Sequence, residues 1–189
     1  MRRASAGIMA ASMVLLAGCA GQVSGQAERV ATDPSGSVAV PTPAGGLDMG
    51  PSFDPCTAIT SEQATRLGVG DPRHNTSSSG TRACIWSHFL SEPEELYLVA
   101  GRNDHGLEYI NPVGAPFTVG RFPAVVGRNV DPAEFDRACS IFIGVRTGQG
   151  LQVAYRYEGT TMRMTHDLAC AKARPVAELV IANLDKGGN

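Results

Sequence analysis

Alternating apolar positions predict a β-hairpin in the C-terminal third of the chain. Every second residue is apolar in two neighbouring runs: Cys139, Ile141, Ile143 and Val145, and then Leu151, Val153, Tyr155 and Tyr157. Because side chains alternate between the two faces of a strand, each run places its apolar residues on one face. Residues 147–150, Thr-Gly-Gln-Gly, are typical of the turn that joins such strands. This hairpin is the clearest local prediction that the sequence makes.

A helical period follows over residues 167–185. The apolar residues of this segment fall within one arc at 100° per residue: Ala169, Cys170, Ala173, Val176, Ala177, Val180, Ile181 and Leu184. That spacing predicts a helix that buries one face. Cys170 lies on this face and can meet Cys139 on the core face of the sheet. Pro175 lies outside the arc and is expected to kink the helix or to start its second part.

Weaker patterns predict the remaining elements. Strands are expected over residues 81–89 and 96–100, with short strands over 117–119 and 124–126. Residues 69–81 are polar and turn-rich. The Cys84-x-Trp86 stretch and His88 share one face of the strand over 81–89.

Two helix starts stand close together before the first strand. Asp54 is a good N-cap for a helix that begins at Pro55. Residues 60–63, Thr-Ser-Glu-Gln, fit a capping box, and Gly68 is the expected helix end. The predicted fold class is α+β, with a single antiparallel sheet, N-terminal and C-terminal helices packed on one face and two disulfides. This domain is expected to span residues 53–186.

The first 18 residues have the parts of a bacterial lipoprotein signal peptide. Arg2 and Arg3 precede a short apolar run, and residues 16–19 read Leu-Ala-Gly-Cys. The apolar run is too short to span a bilayer, which takes about 20 residues. The lipobox pattern predicts cleavage before Cys19 and a lipid on its sulfur, usually with an acylated amino terminus. An ordinary signal peptide with an incidental cysteine is the alternative.

Residues 19–52 are expected to form the lipidated cysteine and a flexible tether. They are rich in Gly, Ser, Ala and Pro, and show no apolar period. A coil of this length would reach roughly 30 Å. The predicted location is therefore the extracytoplasmic face of the cell membrane, with the domain held by a lipid anchor.

Composition excludes some partners. The 18 acidic residues exceed the 16 basic ones, and removing residues 1–18 would take away two arginines and no acid. No dense basic patch of the kind that binds nucleic acid occurs in the sequence. We expect no cofactor.

The cysteines agree with export. Four remain besides Cys19: Cys56, Cys84, Cys139 and Cys170. An even number in an exported domain predicts two disulfides, for which three connectivities exist. We favour the sequential pairing, Cys56–Cys84 and Cys139–Cys170, in which each bridge closes a loop of about 30 residues and contributes roughly 3.5 kcal/mol. A zinc site is the alternative, but no pair has the C-x-x-C spacing, so no metal site is expected.

Candidate catalytic groups are few. The four histidines are His74, His88, His105 and His166. Asp104, His105 and Glu108 stand close enough along the chain to form a ligand set, but a polar loop explains them as well. The sequence has no G-x-S-x-G elbow, no P-loop and no dinucleotide motif. Four aromatic residues, Trp86, Tyr97, Tyr155 and Tyr157, either line a groove or form the core, and strand alternation favours the core.

The order of these features resembles a known family. Asp54-Pro55-Cys56 precedes a short helix that ends at Leu67-Gly68, and Cys84-x-Trp86, Cys139 in a strand and Cys170 in a terminal helix follow. This order is similar to that of an actinobacterial secreted-lipoprotein family of unknown function. The resemblance implies the sequential disulfide pairing and a small α+β domain, with kinship to PsbP-like and Mog1-like folds. It implies no catalytic residues.

The expected function is therefore non-enzymatic. A lipid-anchored envelope protein of this kind would bind a protein partner, a cell-wall component or a small apolar ligand, or would serve as an accessory subunit. An envelope hydrolase with an unrecognised site is the alternative.

Replacing Cys19→Ala should release the protein into the medium or leave its signal peptide uncleaved, because no other thiol stands at the lipobox. Membrane fractionation and intact-mass analysis measure both outcomes, with Cys56→Ala as the control that keeps the lipobox. Membrane association and mass unchanged from the lipidated form would contradict the anchor.

Overall fold

The computed structural model describes residues 45–77, 80–88, 95–128, 132–160 and 163–187. Within these ranges seven strands form one antiparallel sheet of order β1-β2-β3-β7-β6-β5-β4. Their bounds are β1 Arg73–Thr76, β2 Arg82–Ser87, β3 Glu95–Arg102, β4 Pro112–Val119, β5 Phe122–Gly127, β6 Ala138–Arg146 and β7 Gln149–Tyr157. Two α-helices, α1 Ser61–Arg66 and α2 His166–Gly187, and three 3₁₀ turns, Pro55–Thr57, Leu107–Tyr109 and Pro132–Arg137, complete these elements.

The predicted hairpin is confirmed as β6–β7, and the sheet is built outwards from it. β7 pairs with β6 on one side and with β3 on the other, so β3 and β7 are neighbours in the sheet although they are far apart in the sequence. Directly opposed residues form rows that cross the sheet. One row lies on the core face of five neighbouring strands: Cys84, Val99, Val153, Ile141 and Val126.

Helix α2 covers this core face. The predicted apolar arc is confirmed, since Ala169, Ala173, Ala177 and Val180 are all fully buried. The alanines have no side chain beyond Cβ, which allows the helix backbone to approach the sheet closely. Pro175 lies inside a helix that runs on to Gly187 rather than at the start of a second one. Its ring is exposed, so Pro175 costs the helix a backbone hydrogen bond without disturbing the buried face.

The N-terminal caps form as predicted. The Asp54 carboxylate accepts from the backbone N–H of Cys56 at 2.9 Å, but the segment that it caps is a 3₁₀ turn rather than an α-helix. Thr60 and Gln63 make the reciprocal bonds of a capping box at the start of α1. Gly68 ends the helix with φ +73°, a conformation that favours glycine.

A side-chain amide connects the two ends of the domain. The amide nitrogen of Asn183, in α2, donates to the Ala58 carbonyl at 2.9 Å and to Gln63 Oε1 at 2.7 Å. Gln63, which takes part in the capping box of α1, therefore also links α1 to α2.

Two strands differ from the prediction. β1 lies within residues 69–81, which were expected to be turns, and its four residues are all exposed. A short edge strand with both faces in water has no apolar alternation that a sequence reading can detect. β4 begins at Pro112 rather than near 117, and its register shifts between Val113 and Phe117 around Gly114, which has φ +78°.

The cysteines are paired in the order that the sequence favours. The Sγ atoms of Cys56 and Cys84 lie 2.04 Å apart, and those of Cys139 and Cys170 lie 2.11 Å apart. The first pair joins the turn Pro55–Thr57 to β2, and the second joins α2 to β6. The α+β class, the single antiparallel sheet and the C-terminal helix are thus confirmed.

The segments assigned to the signal peptide and most of the tether, with Cys19, lie outside the described residues. Within the described ranges no helix has both the length and the apolar character needed to cross a bilayer.

Removing either bridge should lower the free energy of unfolding by about 3.5 kcal/mol, because each closes a loop of about 30 residues in the unfolded chain. Urea unfolding of Cys56→Ser/Cys84→Ser and of Cys139→Ser/Cys170→Ser measures the two separately. Wild-type protein in reductant is the control and should lose at least as much as either variant. Unfolding midpoints that do not move in any of the three would count against both bridges.

Candidate functional site

The sheet has a second face, opposite α2, that is also largely apolar. One row on this face contains Ile85, Leu98, Ala154 and Ser140, and the next contains Ala83, Ala100, Gln152 and Phe142. A sheet face that meets water normally carries polar residues at alternate positions. The composition of these rows is instead that of a covered face.

Part of this second face is covered by the chain itself. Leu107 packs over Gly144, where an added Cβ would lie 3.1 Å from its side chain. Ile110 approaches Gly127 in the same way, and Phe142 is 2% exposed. The turn Leu107–Tyr109 and its flanks therefore shield the β5–β6 side.

The β2–β3–β7 side is less covered. Four apolar side chains there, which we call the apolar strip, are only half-buried: Ile85, Leu96, Leu98 and Ala154. Buried polar atoms flank the strip at both ends. Ser87 Oγ, beside Leu96, and Arg102 Nε, at the far end of β3, have no hydrogen-bond partner within the described ranges. Buried polar groups are usually bonded, but both of these atoms are shielded from solvent, and Ser87 is only 1% exposed.

Charged residues border the strip. Arg156 lies two residues after Ala154 in β7 and therefore on the same face of the sheet. It forms ion pairs with Glu134 at 2.6 Å and with Glu158 at 3.0 Å. These residues, with Arg137 and Tyr157, line an open cavity of about 260 Å³. The carboxylates of Glu134 and Glu158 both pair with Arg156, so the charged groups that line this cavity are already neutralised by one another.

The four aromatic residues singled out in the sequence form the core rather than a groove. Trp86, Tyr97, Tyr155 and Tyr157 are at most 3% exposed. The Tyr155 hydroxyl donates to Glu95 Oε1 at 3.1 Å, and Lys172 of α2 binds the same oxygen at 3.0 Å.

Burial and the nearby charge of Glu95 raise the pKa of Tyr97 to about 12. The same causes raise the pKa of Tyr155 further. Both phenols therefore stay protonated near neutral pH, where they cannot act as bases.

The Asp104–His105 loop does not assemble a metal site within the described ranges. His105 Nδ1 lies 2.8 Å from Asp104 Oδ1, and this hydrogen bond is the main cause of a lowered pKa of Asp104. The His105 ring also contacts the edge of Tyr109. Glu108 turns back against Gly106, and the side chains of Asp104 and Glu108 are exposed.

Two of the other histidines lie against the bridges. His166 Nε2 is 3.5 Å from Cys170 Sγ, and His74 Nδ1 is 3.5 Å from Cys56 Sγ. No pattern in the sequence assigned a role to His166, which directly precedes the helix predicted over residues 167–185. Its spacing from Cys170, four residues along one helix, is the signal that could have revealed the contact. His88 is half-buried, and its Nδ1 atom lies within hydrogen-bonding distance of the Gly68 carbonyl oxygen.

The buried phenol of Tyr97 gives stability a pH dependence. Because the folded state keeps the proton up to about pH 12 and the unfolded chain loses it near 10, stability should fall as pH rises through this window. Urea unfolding of wild type and Tyr97→Phe should show the variant losing about 2 kcal/mol less between pH 9.5 and 12. Tyr109→Phe, which removes an exposed phenol, should behave as wild type. Equal slopes in all three proteins would be inconsistent with a buried, protonated Tyr97.

Comparison with protein families gives a match, whereas comparisons with curated proteins and with solved structures give none. The kinship with PsbP-like and Mog1-like folds accordingly stays a prediction. A family model described as a protein of unknown function matches residues 14–183, which is most of the chain. The protein therefore belongs to the DUF3558 family.

Proposed function

We propose that this protein is a lipoprotein of the cell envelope, anchored through Cys19 at the extracytoplasmic face of the membrane, and that it acts as a non-enzymatic binding module. The anchor rests on the lipobox at residues 16–19 and on the charged and apolar residues before it. The bridges support export, because disulfides persist in oxidising compartments. The tether gives the domain reach above the membrane surface.

The apolar strip carries the binding proposal. It consists of half-buried aliphatic side chains on a sheet face that is elsewhere covered by the chain itself. Burying such side chains in an interface releases about 25 cal/mol for each Å² removed from water. A partner that lies across β2, β3 and β7 would complete the coverage that Leu107 and Ile110 begin.

The partner that fits is an apolar segment of another protein. The floor of the strip is a sheet surface, whereas small-molecule sites are usually cavities of at least about 300 Å³. An apolar protein segment can lay several side chains along such a surface and contact Ile85, Leu98 and Ala154 together.

A non-enzymatic role agrees with the chemistry of the buried groups. The domain cysteines are paired, and the buried tyrosines are held protonated. Neither group supplies a nucleophile near neutral pH.

The binding face can be located by photo-crosslinking in intact cells. Leu98 is replaced by p-benzoylphenylalanine, and Leu168, an exposed residue of α2, is replaced in the same way as the matched control. We expect a discrete protein adduct from position 98 and none of the same mass from position 168.

Adding Ile85→Arg should remove the adduct, because a charge in the centre of the strip must be desolvated on binding, at a cost of roughly 2 kcal/mol or more. Ile85 is only half-buried, so the thermal midpoint of unfolding should stay near that of wild type. Identical adducts from positions 98 and 168, or an adduct that survives Ile85→Arg in folded protein, would rule out the strip as the binding face.

A further inference from the structure

We propose that Cys139, Cys170 and His166 form a binding site for Zn²⁺ when the bridge between the two cysteines is reduced. The three potential ligand atoms lie within 4.8 Å of one another. Two thiolates and an imidazole nitrogen are a donor set that zinc prefers. This inference is independent of the proposed binding function.

The His166 ring is held in the orientation that a metal ligand requires. Its Nδ1 atom lies 3.1 Å from the Phe135 carbonyl oxygen and 3.0 Å from that of Ala138. Carbonyl oxygens only accept, so these contacts assign the ring proton to Nδ1. Nε2 of the neutral ring then presents a lone pair, and the sulfur of Cys170 lies 3.5 Å from it.

Metal-binding histidines usually have this environment. Their second nitrogen commonly donates to a backbone carbonyl or a carboxylate, which fixes the ring and its tautomer. The ring of Phe135 adds a stacking contact, with centroids 3.9 Å apart and an interplanar angle of 14°. His166 is therefore preorganised before any metal arrives.

The distances fit tetrahedral zinc. Bonds of about 2.3 Å to sulfur and about 2.0 Å to nitrogen place a sulfur and a nitrogen ligand about 3.5 Å apart. That is the separation of Nε2 and Cys170 Sγ. Cleaving the bridge lets the sulfurs move to about 3.8 Å from each other, the spacing that the same geometry requires. A fourth position remains for water.

Burial also favours the site. Cys139 is 1% exposed and Cys170 is 8% exposed, so little water competes for the ion. Two thiolates neutralise the charge of Zn²⁺, which makes the bound cluster compatible with a core position. The metal would join α2 to β6, the same two elements that the disulfide joins.

The second bridge provides an internal comparison. Asp54, Cys56 and His74 also bring three potential ligand atoms together. The His74 side chain, however, is 75% exposed, and the same Nδ1 atom faces both Cys56 Sγ at 3.5 Å and Asp54 Oδ1 at 3.9 Å. Among the residues that the structure describes, its ring has neither the paired carbonyl contacts nor the stacking partner of His166, so we assign no site there.

Opening the Cys139–Cys170 bridge requires a reductant, and a phosphine can supply the two electrons. The phosphine gives two electrons to the S–S bond and becomes a phosphine oxide by taking oxygen from water. Two protons convert the sulfurs to thiols. Zn²⁺ then displaces both thiol protons into the buffer, and the metal itself is neither oxidised nor reduced.

The test uses the full chain with Cys19→Ala, purified in detergent and reduced with a water-soluble phosphine without oxygen. Zn²⁺ is titrated by calorimetry, and Co²⁺ reports thiolate ligation through its charge-transfer absorption. We expect about one tightly bound Zn²⁺ per chain. His166→Asn, which keeps a donor for the carbonyls but lacks Nε2, should weaken binding at least about tenfold. His74→Asn should bind as the parent does.

Near-UV circular dichroism of the reduced protein decides between a folded and an unfolded starting state. If the reduced chain is folded, the calorimetric difference between the two histidine variants is the result. If it is unfolded, Zn²⁺ should restore the native spectrum of the parent and of His74→Asn but not of His166→Asn. Equal behaviour of the two variants, no Zn²⁺ binding, or Zn²⁺ binding that persists in Cys139→Ser/Cys170→Ser would overturn the proposal.

Discussion

The packing of α2 against one face of an antiparallel sheet is the interaction on which the rest of this structure depends. The sheet is apolar on both faces, and a single helix can cover only one of them. The chain covers part of the second face with a short turn around Leu107 and leaves Ile85, Leu98 and their neighbours half-buried. The proposed binding function is a consequence of this unequal coverage.

The bridge between Cys139 and Cys170 lies on the side of the sheet that α2 covers. It joins the first turns of α2 to β6, while Asn183 joins the last turns of α2 to the caps of α1. The helix is thus fixed at both ends, which explains how it accommodates Pro175 without ending there. His166 lies beside the bridge with a ring held by two carbonyl groups and by Phe135. That arrangement underlies the proposed metal site.

The sequence predicted those elements whose formation depends on a single local effect, either burial of one face or capping by neighbouring residues. The alternation from Cys139 to Val145 and the arc from Ala169 to Leu184 each report burial on one side, and both elements formed as expected. Capping by Thr60 and Gln63 depends on neighbouring residues alone, so it too could be read directly. β1 could not be predicted, because its residues are exposed on both faces and its pairing with β2 is set by tertiary position.

The candidate sites were harder to predict, since they depend on strands that meet only in the folded sheet. The row of Ile85, Leu98 and Ala154 combines three strands whose order, β2-β3-β7, no local pattern specifies. The spacing of the cysteines along the chain likewise predicted no metal site. The contacts of His166 with Phe135 and Ala138 form only when α2 packs in the folded domain, so that spacing does not reveal them.

Hydroxyl-radical footprinting, in the purified chain and in native membranes, tests the central claim most directly. We expect Leu96 and Leu98 to be labelled in the purified chain and protected in membranes, while Leu168 is labelled equally in both. Equal labelling of Leu98 in the two samples would contradict a partner on the second face of the sheet.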